Sequence, residues 1–170
     1  PREFLEMYDP ESLELPPSFM PAHPFDNGEL KVRDELLAPF PRTPEDTRRH
    51  LAEYYAMISH LDAALGSVLD ELDAQGLADN TLVVFAGDNG LALGRHGLFG
   101  KQSCYDHSVR VPLIFAGPGI PSGVRTDALV YLLDIFPTLC DLTGTPVPAS
   151  VEGRSMAAAF RDPGVPVRDS

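Results

Sequence analysis

The sequence predicts an α/β fold, in which a mostly parallel sheet is flanked by helices. Two short apolar runs, TLVVFA (81–86) and VRVPLIFAG (109–117), are rich in β-branched residues and have the length of strands buried on both faces. A long amphipathic segment precedes these runs, and a shorter segment with helical spacing follows them. This order of elements is typical of layered α/β domains.

The long helix is predicted to begin just after residue 43. Thr43 suits an N-cap, Pro44 suits the first helical position, and Gly76 suits the C-terminal stop. Between these ends, apolar residues recur at steps of three and four positions and form one face. That face consists of Leu51, Tyr55, Ile58, Leu61, Leu65, Val68 and Leu72.

The segment before this helix differs in composition from the rest of the chain. Residues 1–42 are rich in proline, which removes backbone donors and disfavours helix in the preceding residue. They predict an extended arm that wraps over a larger surface, with a short helix near residues 29–37. Residues 43–170 are predicted to form the α/β domain.

Three further elements are predicted around and after the second apolar run. Pro112 predicts an interruption or a sheet edge at that strand. DALVYLL (127–133) indicates a third strand, and DIFPTLCDLTG (134–144) indicates a helix with Asp134 as its cap and Pro137 in its first turn. PVPASVEGRSMAAAF predicts a turn and a short closing helix.

Composition excludes several classes of protein. The formal net charge of −12 argues against nucleic acid and anionic membrane as partners. No apolar run approaches the roughly 20 residues that span a bilayer. Cys104 and Cys140 form no CxxC pair, which excludes a zinc ribbon, and Cys140 is expected in the core. GPGIPSG (117–123) lacks the spacing of a dinucleotide-binding loop. Composition leaves the compartment open.

Polar side chains follow the first apolar run, where it ends at DNG. Asp88 and Asn89 come directly after the strand at 81–86, and ligands in open α/β sheets bind beyond the carboxyl ends of strands. A carboxylate and an amide oxygen suit Ca²⁺ or Mg²⁺. DNG is also a common turn signal, so taken alone it favours a simple turn.

Two further polar residues lie between the apolar runs. Lys101 follows Gly100, so its side chain can fold back over the strand ends and neutralise an oxyanion that a divalent cation also holds. His96 can donate to the same anion or protonate a leaving group. Each residue taken alone also fits a solvated surface position.

Several spaced motifs together resemble the sulfatase family, within the alkaline-phosphatase superfamily. They are the long helix, DNG, GK (100–101), VRVPLIF and LLDIFPTLCDLTGTPVPASVEGRSM, and they occur in the family's order over about residues 44–160. The resemblance implies an alkaline-phosphatase-like α/β domain. It also implies that Asp88 and Asn89 ligate Ca²⁺ or Mg²⁺, that Lys101 binds the sulfate oxygens, and that His96 acts near the substrate as a catalytic residue.

The resemblance assigns supporting roles to other residues. Arg110 in VRVP is expected to be a buried structural cation, and Asp106 and His107 are expected to position the loop. His23 in AHPFDNG superficially imitates the family's H-x-P element, but it lies too far along the arm to carry the same role.

The family's nucleophile is missing from the motifs. Sulfatases use a formylglycine made from Cys or Ser in a C/S-x-P/A-x-R signature, and neither Cys104 nor Cys140 is followed by it. The chain is therefore interpreted as the later half of a sulfatase, which acts on a small-molecule or carbohydrate sulfate ester together with the N-terminal half of the same protein. By itself the chain is expected to be inactive.

Two alternatives remain open. A phosphodiesterase or phosphonate monoester hydrolase of the same superfamily can carry the same DNG and lysine pattern. The second alternative is not an enzyme but a non-catalytic binding module, and this hypothesis predicts a complete metal site within this chain.

Overall fold

The described residues, 1–26 and 28–169 of a computed structural model, form two compact units. One unit comprises Pro1–Ala78 and Asn89–Pro112, and the other comprises Asp79–Asp88 and the chain from Leu113 onward. Helices and a small sheet are both present, so the α/β class is confirmed. No helix in the described ranges is long and apolar enough to cross a membrane.

The first unit is built on one long helix. Its helices are α1 (Arg2–Leu5), α2 (Pro44–Ala74) and α3 (Asp106–Val109), with 3₁₀ turns at Pro10–Ser12 and Glu35–Leu37. The helix expected near residues 29–37 is present only as the 3₁₀ turn at Glu35–Leu37.

The ends of α2 are those that the sequence predicts. The Thr43 hydroxyl accepts the Asp46 N–H at 3.0 Å, and Pro44 occupies the first helical position. Gly76, just past the C-terminal end, adopts a left-handed φ of 66° that favours glycine.

The proline-rich arm shares a core with the residues that follow it. Ala38 of the arm packs with Leu51 of α2 and with Leu93 and Phe99 of the later loop. Leu13 of the arm also packs against this cluster. The arm therefore lies against α2 and the loop that carries the candidate residues.

The predicted apolar face of α2 is covered only near its N-terminal end. Leu51 is 2% exposed, whereas Ile58, Leu61 and Val68 are 47%, 52% and 66% exposed. The described residues of this unit therefore leave the second half of that face in contact with solvent.

The second unit contains a two-stranded sheet. Strands β1 (Val83–Ala86) and β2 (Leu113–Ala116) pair antiparallel, with Val83 opposite Ala116 and Ala86 opposite Leu113. The expectation of parallel pairing is wrong for these two strands. Antiparallel strands need no helical crossover, and the connection between β1 and β2, all of which the structure describes, contains no helix longer than the four-residue α3. β2 begins directly after Pro112, which agrees with the predicted interruption.

The rest of the second unit is helical or irregular. Helices α4 (Ile135–Thr143) and α5 (Ala157–Arg161) are present as predicted, and Pro137 lies in the first turn of α4. The third strand predicted at 127–133 is wrong. The Tyr131 N–H donates to the Asp134 carboxylate at 2.8 Å and starts a 3₁₀ turn, Leu132–Asp134, where a strand would need a ladder partner.

Asp134 lies at the N-cap of α4, but its side chain is used differently from the prediction. It is fully buried and accepts from the Arg154 N–H at 2.8 Å and from the Arg168 guanidinium. No α4 amide is bound by this carboxylate. Burial opposes ionisation, yet these donors outweigh it and lower the pKa of Asp134 to about 2.

Candidate active site

The DNG segment follows β1 and joins the two units along the chain. Asp88 is exposed two residues after β1, and Asn89 is half-buried. The Gly90 N–H donates to the Ser108 carbonyl at 3.0 Å, and a Cβ on Gly90 would lie 2.0 Å from the His107 carbonyl oxygen. Close contact with α3 therefore excludes a side chain at the third residue of DNG.

Asp88 and Asn89 fit a divalent cation only as part of a ligand set. Their carboxylate and amide oxygens are the donors that Ca²⁺ and Mg²⁺ prefer, but Ca²⁺ takes about six to eight oxygens. No group of three or more His, Cys, Asp and Glu side chains suited to a metal occurs among the described residues. A complete site would need further ligands besides Asp88 and Asn89.

His96 is held by the arm through its backbone. Its N–H donates to the Ser18 carbonyl at 2.7 Å, and its carbonyl accepts from Nδ1 of His23 at 2.7 Å. The backbone of His96 has a left-handed φ of 55°, which is uncommon for a residue with a side chain. These two hydrogen bonds stabilise this backbone conformation.

The His96 ring belongs to an aromatic cluster within the first unit. It stacks on Tyr105 with ring centroids 4.3 Å apart, and its centroid lies 5.8 Å from that of His107. Burial and the neighbouring His96 and Arg95 lower the pKa of His107. A neutral imidazole therefore lies beside the His96–Tyr105 stack at neutral pH.

His23 lies under this cluster and is 8% exposed. Because a carbonyl oxygen only accepts, Nδ1 carries the proton of the neutral ring and Nε2 keeps its lone pair. Nε2 has no hydrogen-bond partner among the described residues. Sequence analysis found only a superficial motif at His23, because the residue that it binds is 73 positions away along the chain.

The backbone before Lys101 is bound by a buried carboxylate of the arm. Glu35 accepts the Phe99 N–H at 2.9 Å through Oε2 and the Gly100 N–H at 2.8 Å through Oε1. Arg42 pairs with the same carboxylate at 2.5 Å. Sequence analysis missed both charged residues, because DELL on the arm carries no signal that distinguishes a buried acid from a solvated one.

Gln102, the residue after Lys101, is bound by Asp34, the neighbour of Glu35 in the arm. Nε2 of Gln102 donates to Asp34 at 3.0 Å, and Oε1 of Gln102 accepts the Lys101 N–H at 3.1 Å. The hydrogen bonds from Gln102 and Arg33 lower the pKa of Asp34, and the charge of Lys101 adds to the effect. Asp34 is therefore an anion beside the lysine at neutral pH.

Arg110 and the two cysteines differ in burial. Arg110 is exposed among the described residues, so its predicted burial is wrong; it lies at the surface because it directly follows the C-terminal end of α3. Cys140 is buried as predicted, whereas Cys104 is exposed. Neither cysteine is in a disulfide.

The candidate residues divide between the two units. Asn89, His96 and Lys101 belong to the first unit, and Asp88 closes a segment of the second. Their convergence on a single pocket stays a prediction.

Comparison with known proteins gives consistent matches. A family model described as Sulfatase matches residues 17–145. An ulvan-active sulfatase of Formosa agariphila is 34% identical over 167 residues, which cover 96% of this chain and 29% of that protein.

Solved structures agree with this match. Phosphonate monoester hydrolase SpPMH from Silicibacter pomeroyi superposes with a TM-score of 0.80 at 30% identity, over 94% of this chain and 34% of its own. BT4656, solved in complex with its substrate D-glucosamine-2-N,6-O-disulfate, superposes with a TM-score of 0.68 at 30% identity, over 84% of this chain and 28% of its own. The chain spans about a third of the length of these relatives.

Proposed function

Because this chain belongs to the sulfatase family, we propose that it supplies the later part of the active site of a sulfuric ester hydrolase. The observation that carries the proposal is the family match over residues 17–145, which includes every candidate residue. The enzyme hydrolyses a sulfate ester to an alcohol and inorganic sulfate.

Lys101 binds the sulfate in this proposal. Its side chain is exposed at the end of a buried loop, so the ammonium can reach an external anion. A fixed positive charge near the sulfate oxygens stabilises negative charge that grows there in the transition state.

His96 delivers a proton to the departing alcohol oxygen. The stack on Tyr105 holds the ring, and the backbone is held by the hydrogen bonds that His96 donates to the Ser18 carbonyl and accepts from His23. A positioned imidazole contributes as a general acid only when it lies within hydrogen-bond reach of the leaving oxygen.

Asp88 and Asn89 contribute two oxygen ligands to a divalent metal site. When bound, the ion would supply positive charge that polarises the ester. Sulfatases in general use a divalent metal and a formylglycine nucleophile, and the candidate residues of this chain include neither the remaining ligands nor that nucleophile. We assign both to the N-terminal half of the same protein.

The exposed side of α2 supports the presence of that half. Its apolar residues continue the periodicity of the buried N-terminal turns, but they face solvent within this unit. Relatives about three times as long have polypeptide available to cover them. We propose that the N-terminal half packs on this side of α2.

A sulfated carbohydrate is the proposed substrate class. One matched protein is named as active on ulvan, and another was solved with a disulfated glucosamine as its substrate. Phosphonate monoester hydrolysis is the second candidate, because SpPMH superposes well on this chain.

Kinetics of the complete enzyme, meaning this chain joined to its N-terminal half, test the proposal. We expect hydrolysis of 4-nitrophenyl sulfate to exceed that of 4-nitrophenyl phenylphosphonate. Lys101→Ala should lower kcat/KM about 10²–10³-fold, as loss of a charge-stabilising group does. Lys31→Ala, which removes the other lysine of this chain, is the matched control and should have no effect.

Faster phosphonate hydrolysis would favour the second candidate. Absence of both activities, with tight Ca²⁺ binding by this chain alone, would favour the binding module.

A further inference from the structure

Resting on the proposed function, in which Lys101 binds sulfate, we propose that Asp34 and Glu35 are positioning residues for Lys101. Glu35 holds the two backbone amides before the lysine, and Asp34 holds the Gln102 side chain that binds the amide of Lys101 itself. They act through the loop and not by contact with the substrate.

Glu35 fixes the approach to Lys101. Each of its oxygens accepts one amide N–H, from Phe99 and from Gly100, at 2.9 and 2.8 Å. A carboxylate has acceptors on both oxygens, whereas a glutamine here would turn an NH₂ group toward one of these donors. The two residues before Lys101 are therefore held by the charge of Glu35 as well as by its shape.

Asp34 acts on the Lys101 amide through the side chain of Gln102. The side-chain amide of Gln102 bridges the Asp34 carboxylate and the Lys101 N–H, because it donates to the first and accepts from the second. The N–H groups of Phe99, Gly100 and Lys101 are thus all bound, by Glu35 twice and by Gln102 once. Three successive amides are held on a single acidic turn of the arm.

The packing around Gly100 is tight on the side of the two carboxylates. A Cβ there would lie 2.7 Å from Oε1 of Gln102, 3.0 Å from Oε1 of Glu35 and 3.1 Å from Cβ of Asp34. A side chain at the glycine of the GK motif would therefore push on Gln102 and Glu35, the two groups that bind the loop amides.

Arg42 makes burial of the Glu35 charge tolerable. It is 2% exposed, pairs with the carboxylate, and donates to the carbonyls of Glu35 and Gly97 at 2.9 and 3.2 Å. Its guanidinium also lies 3.7 Å from the centroid of the Phe40 ring. The carboxylate, the guanidinium and the loop amides therefore form one satisfied network.

This network matters because the lysine side chain is long and flexible. Four methylene groups separate the ammonium from the backbone, so disorder at the backbone spreads into the position of the charge. Displacement of a catalytic group by about 1 Å can cost about 10²-fold in rate. Release of the Gly100 and Lys101 amides should therefore weaken the action of Lys101 without removing its charge.

The test is a double-mutant cycle in the complete enzyme, with kcat and KM for 4-nitrophenyl sulfate as the readout. We expect Glu35→Gln to lower kcat/KM roughly 10–100-fold, divided between kcat and KM in the same way as for Lys101→Ala. The Glu35→Gln/Lys101→Ala double variant should be no slower than Lys101→Ala alone, because Glu35 acts through the lysine.

Matched variants separate positioning from folding. Glu53→Gln removes an exposed carboxylate of α2 that pairs with Arg49, and it should change nothing in either background. If Glu35→Gln does not fold, Gln102→Ala decides the question: it is exposed, and its loss should lower kcat/KM about threefold to tenfold.

The outcomes distinguish this proposal from the proposed function. Unchanged kinetics in folded Glu35→Gln and Gln102→Ala, or losses that multiply with that of Lys101→Ala, overturn the positioning role alone. A wild-type enzyme that hydrolyses no sulfate ester overturns the proposed function, and the positioning role with it.

Discussion

The two units each contain a buried carboxylate that accepts backbone N–H groups and pairs with an arginine. In the first unit Glu35 binds two loop amides and Arg42; in the second, Asp134 binds the amides of Tyr131 and Arg154 together with Arg168. Both carboxylates bind the same kinds of donor, backbone amides and a guanidinium, but they have different neighbours. Glu35 borders Lys101, whereas Asp134 lies at the start of α4.

The comparison shows that a buried acid by itself does not mark a functional site. Asp134 connects segments of one helical region, and its partners lie 3, 20 and 34 positions away. Glu35 connects the arm to a loop 64 positions later. A role in the reaction is assigned to Glu35 only because that loop ends in a candidate substrate-binding residue.

The largest expected effect should be common to both carboxylates. Glu35→Ala and Asp134→Ala each leave an arginine without its buried partner, so each should lower the free energy of unfolding by about 3–5 kcal/mol. Chemical denaturation of the chain measures this. A loss of unfolding free energy below about 1 kcal/mol for either variant would show that its buried ion pair contributes little to stability.

Two glycines, Gly90 and Gly66, allow the stability of closely packed and open backbone to be compared. Gly90→Ala would place a Cβ 2.0 Å from the His107 carbonyl and should destabilise the chain by about 1–3 kcal/mol. Gly66→Ala, on the exposed part of α2 with nothing within 4 Å, should stabilise it by about 1 kcal/mol. Equal shifts in melting temperature would contradict the tight contact at DNG.

Acid titration tests the second carboxylate. The folded pKa of Asp134, about 2, is below the ordinary value of 3.8, so its stabilisation is present above pH 3.8 and is lost as pH falls through 2. The difference in unfolding free energy between wild type and Asp134→Asn should narrow by roughly 2 kcal/mol between pH 6 and pH 2. A constant difference would mean that the carboxylate gains nothing from its charge.

The smallest expected effect concerns His23. His23→Ala removes the donor to the His96 carbonyl and should cost about 1 kcal/mol. His23→Asn can place an amide N–H near the position of Nδ1 and should recover part of this. Thermal unfolding measures both variants, and equal losses would argue against the hydrogen bond as the cause.

Local signals predicted the long helix well. The ends of α2 depend on Thr43, Pro44 and Gly76, whose preferences act within one helical turn. Its apolar periodicity was equally clear, but periodicity predicts a face that can be buried and does not say what covers it.

Contacts between distant segments could not be predicted in the same way. The pairing of Glu35 with the loop before Lys101, and of His23 with His96, depends on chain folding over more than 60 residues. The apolar composition of β1 and β2 indicated strands without fixing their relative direction, which depends on the path of the connection. The roles of Asp88, Asn89, His96 and Lys101 came from motif resemblance, and they stay predictions.

Hydrogen exchange at the amides of Gly100 and Lys101, with the amides of α2 as the internal reference, measures whether Glu35 holds this loop. If Glu35 holds this loop, Glu35→Gln should speed exchange at Gly100 and Lys101 at least tenfold relative to α2, and Asp134→Asn should not. Equal acceleration across the loop and α2 in Glu35→Gln, or no acceleration at Gly100, would contradict it.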